Sequence, residues 1–178
     1  AKINGNTAGG SGGGVYVETS GKLIMTGSSI TDCEAIGDTV DNKYGEGGGV
    51  YNKGTVEMTG GEIKNNHAKR SGGGVSLGLS GARDAVLNMS GGTISGNTLT
   101  ETSGKGAGVE FFTESTTHGS TTYYTRMKMS GSAKVDTNND VYLNNSRMIT
   151  VDGELTGTAP VACITPKNYS AGLRVLEA

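Results

Sequence analysis

Residues 47–71 read GGGVYNKGTVEMTGGEIKNNHAKRS, and the triplet that opens them, Gly47-Gly48-Gly49 with Val50 after it, recurs along the chain. It stands again at Gly12-Gly13-Gly14-Val15 and Gly72-Gly73-Gly74-Val75, and in weakened form at Gly106-Ala107-Gly108-Val109. Each copy is followed by a short apolar-alternating segment, then Met-(Ser/Thr)-Gly, then Ile or Val, then usually Asn. Residues 47–71 break into three strand-like pieces. Val50-Tyr51-Asn52 has Val50 inward and Tyr51 outward; residues 55–59 have Val56 and Met58 inward and Glu57 outward; Glu62-Ile63-Lys64 has Ile63 inward. Gly60-Gly61 supplies the bend between the second and third pieces, where a positive φ is often required. A fixed period of this size, built from strands alone, is the signature of a solenoid.

The other units overlay on this one. Second-strand inward positions read Leu23 and Met25, Val56 and Met58, Leu87 and Met89, Met127 and Met129. The third-strand apolar position reads Ile3, Ile30, Ile63, Ile94 and, with one extra residue, Val135. Three residues on, the column reads Asn6, Cys33, Asn66, Asn97 and Asn138. Stacked asparagine amides can bond from turn to turn and satisfy their own donors and acceptors. The sequence therefore predicts an all-β, right-handed parallel β-helix: a single-stranded solenoid with three short strands per turn and about six turns, its hand following the usual crossover rule.

At 178 residues the chain fits one domain, 1–178, with regular glycine-rich repeats over 1–139 and degenerate turns over 140–178. The 32 glycines and the absence of tryptophan suit a coil of thin stacked strands better than a globule with one large core. The periodicity is too regular for a disordered segment. A net charge of −2 leaves no basic footprint for nucleic acid and no polybasic patch for anionic lipid. No apolar run reaches the length of a membrane span. The first eight residues align with the tail of a repeat, so the expectation is a fragment of a longer surface protein, with neighbouring domains of the same chain covering its bare ends. Cys33 and Cys163 fall several turns apart, at about 4.8 Å per turn, too far for a disulfide; both are expected as free buried thiols.

Insertions fall at 36–46 and 99–105 between turns, and at 79–85 and 113–125 within turns. The last two share one corner, between first and second strands of successive turns, and should stack as neighbouring loops. In solenoids such insertions commonly mark the binding face.

The pattern Gly-Gly-Gly-Val…Met-Ser-Gly-Gly-Thr-Ile-Ser-Gly-Asn, clearest over residues 72–97, resembles bacterial and archaeal cell-surface adhesin-like β-helix repeat proteins of the pectin-lyase-like superfamily. A looser similarity is to chlamydial polymorphic outer-membrane proteins, whose Gly-Gly-Ala-Ile and Phe-x-x-Asn repeats echo Gly73-Gly74-Val75 and Ile63-Lys64-Asn65-Asn66. The resemblance implies a cell-surface or secreted location and adhesion or display, and carries no shared catalytic residues.

Because the same fold hosts polysaccharide lyases and glycosidases, the outward columns decide whether chemistry is present. A hydrolase needs paired carboxylates; a lyase needs a base and cations. The first column reads Tyr16, Tyr51, Ser76, Glu110, Tyr142; the second Ile24, Glu57, Asn88, Lys128; the third Thr31, Lys64, Ser95, Asp136. None sets two carboxylates on adjacent turns, so no catalytic residue is assigned. His67 and His118 stand apart from each other and from the cysteines, which argues against a metal site. The oxygen-rich run Asp136-Thr137-Asn138-Asn139-Asp140 reads as a polar turn rather than a calcium loop. No cofactor motif is present. Binding remains. Tyr16 and Tyr51 should stack as an exposed aromatic face, and the segment carrying Phe112, His118, Tyr123 and Tyr124 concentrates aromatic rings in a chain with few. The expectation is a non-catalytic, adhesin-like stalk or display scaffold that binds a glycan or a surface protein, with a carbohydrate-active enzyme as the alternative.

Overall fold

The computed structural model describes residues 1–38, 44–145 and 147–178. Part of the insertion at 36–46, residues 39–43, lies outside the described residues. Among the described residues there is no helix, and the strands gather into three stacked sheets whose pairings are all parallel except for one hairpin.

The long sheet carries Lys2–Asn4, Lys22–Thr31, Thr55–Lys64, Ala85–Ser95, Thr121–Gly131, Ile149–Leu155 and Leu176–Glu177 side by side. A second sheet holds Val15–Val17, Val50–Asn52, Val75–Leu77, Val109–Phe111, Asp140–Leu143 and Cys163–Pro166. A third consists of two-residue strands, Thr7–Ala8, Glu34–Ala35, His67–Ala68 and Thr98–Leu99. Over the regular repeats the chain visits second, long and third sheet in that order, then starts again. All of this is consistent with a parallel β-helix.

Each repeat through Leu99 carries three strands, but not the three read from the sequence. The second and third predicted strands are one continuous strand in the first three repeats, Thr55–Lys64 in the template, whereas Thr121–Gly131 and Lys134–Val135 stay separate. Gly60 and Gly61 fall at a shift in register rather than a corner. A bulge uses the same positive φ as a tight turn, and Gly61 has φ +92° with Ser28 packed where its Cβ would stand. The remaining strand of each of these repeats is the two-residue segment after Cys33, Asn66 or Asn97, which the sequence reading passed over.

The inward columns are as read. Val15, Val50, Val75, Val109, Val141 and Ile164 lie in one register. Leu23, Val56, Leu87, Met127 and Ile149 form a second, and Ile3, Ile30, Ile63, Ile94 and Val135 a third. Most of these side chains are fully buried in one continuous core, and each fully buried aliphatic side chain contributes roughly 1.5–3 kcal/mol.

The glycine triplets close the turn. In Gly72-Gly73-Gly74, Gly72 takes φ +60°, and a Cβ on Gly73 would stand 2.7 Å from both Ala107 O and Thr98 O. The weakened copy has a reason. Ala107 takes the place of Gly73, and among the described residues no third-sheet strand follows Val135 to fill the space its methyl needs.

The amide ladder is real but contains a different last member. Asn66 Nδ2 donates to Asn97 Oδ1 at 3.0 Å, and Asn97 Nδ2 donates to Asn139 Oδ1 at 2.8 Å. The same oxygens accept the backbone N–H of Asn66 and of Asn97 from the preceding turn. Asn138 is exposed and Asn139 is buried. The turn after Val135 is one residue longer than its counterparts, with Asn139 N–H bonded to Asp136 O at 2.8 Å. Asn6 is exposed, and its amide lies 4.0 Å from Cys33 Sγ. Cys33 is buried as expected, whereas Cys163 is exposed. Its register partner is Asp140, and Ile164 takes the inward place beside Val141.

Candidate functional site

The two insertions at the shared corner meet. The strand Ser115–His118 folds antiparallel onto Thr121–Gly131 as a hairpin. Asp84, from the other insertion, accepts the Tyr124 backbone N–H through Oδ1 at 2.6 Å and Arg126 Nε through Oδ2 at 2.6 Å. The Asp84 loop also reaches back across the middle turn, where Ser80 O accepts the Thr19 hydroxyl at 2.7 Å. Together these segments wall a groove of about 680 Å³. Gly21, Lys22 and Thr55 form its floor, and Arg83, Asp84 and Tyr123 stand at its sides.

The groove is polar and carries a surplus of positive charge. Lys22 is paired with Glu57 at 2.8 Å and Arg126 with Asp84 at 2.6 Å. Arg83 is exposed and, among the described residues, has no hydrogen bond or ion pair. Hydroxyls of Thr19, Ser20, Thr55, Thr121 and Thr122 line the rest. A cation free to bond, a ring of donors and acceptors and one aromatic edge suit an anionic polyhydroxylated ligand.

The candidate residues named from sequence do not converge on one site. Tyr123 lines the groove, with the exposed His118 ring 6.2 Å away, tilted by 58°. Tyr124 points to the opposite face of the same strand, as the period of two requires. There Arg126 and Arg147 sit over its ring at 5.3 and 4.6 Å. Two guanidinium groups on one ring make it a structural clamp. Phe112 lies at the edge of the second sheet, half in solvent, beside Glu110.

Tyr16 and Tyr51 stack on adjacent turns, with centroids 5.2 Å apart, but the face they form is only half exposed. Tyr16 is 42% exposed and Tyr51 only 8%. Ser76 and Gly78 on the next turn are small enough for the Tyr51 ring to lie down over them, and Lys53 covers both rings at 5.2 and 5.7 Å. Burial, then the nearby Glu46, Tyr16 and Glu110, raises the Tyr51 hydroxyl pKa. Tyr51 is therefore a packing residue, and the exposed rings at that end are Tyr16 and Tyr44, which line one hollow with it.

The column reading missed Glu46, which lies in an insertion. It is buried beside the second sheet, accepting the Ser11 hydroxyl at 2.6 Å, with Arg70 at 3.6 Å. Glu110, buried on the same face, lies close enough to feel its charge. Burial is the main cause that pushes the Glu110 carboxyl up to about 7; Glu46 adds to it, while the Ser71 and Ser76 hydroxyls and Arg70 oppose it. The outward column of the long sheet is occupied by surface ion pairs, Lys22–Glu57 and Lys128–Asp152. The oxygens of the Asp136–Asp140 run serve the fold: Asp136 accepts Thr137 N–H, Asp140 accepts Ala107 N–H and Asn139 joins the ladder. His67 is bonded by Thr98 and Thr100 through its two ring nitrogens, at 2.7 and 2.5 Å.

Comparison of the chain with protein-family models, with curated proteins and with solved structures gives no match.

Proposed function

We propose that the chain is a right-handed, single-stranded parallel β-helix of about six turns that serves as an extracellular, adhesin-like display module, and that the corner groove binds an acidic glycan. The six-stranded second sheet supports the turn count, and a parallel crossover between neighbouring strands is right-handed in about 98% of cases. A rigid stack of this kind projects a surface away from whatever holds it. One observation carries the ligand class: Arg83, which has no ion pair among the described residues, lines the groove together with threonine and serine hydroxyls and Tyr123. A uronate, sialate or sulfated sugar would place its anion on Arg83, its hydroxyls on the rim and its apolar face on Tyr123.

The test is a glycan-array screen with a parallel assay for depolymerisation of whatever binds. The reading expects saturable binding to acidic glycans, no cleavage, and loss of binding in Arg83→Ala. Cleavage would transfer the chain to the enzyme class, and binding confined to neutral glycans would remove the groove from the account.

A further inference from the structure

On the outer face of the second sheet, away from the corner groove, Ser71, Glu110 and Phe112 enclose a hollow of about 150 Å³, with Arg70, Glu101 and Lys105 at its rim. The fold places them there by two routes. The positive-φ glycines Gly72 and Gly106 turn the chain so tightly that each lies against the outward residue of the strand after it, Ser76 and Glu110. Register then stacks Ser71 next to Lys105 and Ser76 next to Glu110.

Three features of this hollow are not needed by the fold. Ser71 is 4% exposed, yet its hydroxyl has no hydrogen-bond partner. It lies near enough to the Glu110 carboxyl to lower its pKa, yet among the described residues it completes no full hydrogen bond. Buried hydroxyls without partners are costly, and a ligand hydroxyl would satisfy this one. Glu110 is a buried carboxyl that accepts one long hydrogen bond, from Ser76 Oγ at 3.5 Å. Phe112 stands at the mouth with 39% of its surface exposed.

We propose that this hollow is a second site, independent of the corner groove, that takes a single neutral pyranose ring. The charges select against the alternatives. An anion would face Glu101 and Glu110, with Glu46 behind Arg70; a cation would face Arg70 and Lys105. A neutral sugar uses both sets, donating hydroxyls to the carboxyls and accepting from the cations, while its C–H face lies on Phe112. The volume equals that of about five waters, which suits one ring and not a chain. Near neutral pH the Glu110 carboxyl can act as acceptor or, protonated, as donor; Ser71, Ser76, Glu46, Arg70, Tyr51 and Tyr142 surround it.

The test titrates the whole ¹⁵N-labelled chain with methyl glucoside, galactoside and mannoside, up to about 50 mM, a range set for millimolar affinity. The proposal expects saturable amide shifts with at least one glycoside, centred on Gly72, Gly104 and Phe112. Phe112→Ala should weaken binding by about tenfold or more, and Arg83→Ala should leave it unchanged. If Phe112→Ala loses its dispersed spectrum, Lys105→Met at the exposed rim gives the same reading. No saturable shift with any of the three would overturn the proposal, as would shifts that follow Arg83 and ignore Phe112 or Lys105.

Discussion

Asp84 holds the hairpin in place: its two carboxylate oxygens take the Tyr124 backbone N–H and the Arg126 guanidinium, each at 2.6 Å. One short side chain thus ties its own loop to residues 40 and 42 positions further on and shapes the groove between the two insertions. Asp84→Ala should loosen the groove without unfolding the stack. The pair is partly exposed, so its removal should cost no more than about 1 kcal/mol of global stability. Hydrogen exchange at the Tyr124 amide should accelerate, and acidic-glycan affinity should fall while the melting temperature stays within a few degrees.

Asn97 and Asn138 should behave oppositely although both carry the same amide. Asn97 bonds Ile63 O and Asn139 Oδ1 and accepts from Asn66 twice, all in the buried interior. Asn97→Ala leaves those groups orphaned and should destabilise by about 3 kcal/mol or more. Asn138→Ala, on the exposed turn, should stay within about 0.5 kcal/mol. Urea denaturation of the two variants decides whether the ladder ends on Asn139.

How much of this was legible in the sequence depended on whether a repeat or its neighbour decided the outcome. The inward columns were readable because each turn repeats the same apolar positions and stacking aligns them. Asn138 was misplaced because one extra turn residue shifts the column by one, and composition does not say where the extra residue goes. Gly60-Gly61 was read as a corner because a bulge and a turn ask the same thing of glycine. Tyr51 was expected in solvent because its own strand puts it outward; its burial comes from small residues one turn away. Glu46 escaped the column reading because an insertion hides its register, yet it sits beside the outward column and raises Glu110. The meeting of the two loop insertions was legible from their matching positions, but the charge of their groove depended on which arginine finds a partner.

The triplets offer a paired test. Gly73→Ala would drive a Cβ to within 2.7 Å of two carbonyl oxygens on neighbouring segments, costing about 2–4 kcal/mol. Ala107→Gly, at the equivalent place one turn on, should cost only about 0.5–1 kcal/mol, through greater freedom of the unfolded chain. Thermal melts of both variants measure the contrast.

Glu110 sets a pH dependence whose sign is fixed. Its folded pKa of about 7 lies above the ordinary 4.5, so the folded state holds the proton more tightly. The stability it contributes is fully present below about pH 4.5 and is lost as pH rises through about 7, a change of about 3 kcal/mol from this group alone. Glu110→Gln should flatten that slope and be more stable than the parent chain at pH 8. Denaturant midpoints taken across the window check both.

The central claim, that the corner groove reads acid on a sugar, is tested most directly by a matched pair of ligands. A polyuronate and its carboxyl-reduced neutral form share chain length and ring hydroxyls and differ at one group per residue, a carboxylate in the first and a primary alcohol in the second. Calorimetric titration of the whole chain should show binding to the polyuronate that weakens with added salt, falls at least about tenfold in Arg83→Ala and vanishes for the reduced polymer. Equal binding of the two polymers, or binding to the polyuronate that ignores Arg83, would contradict it.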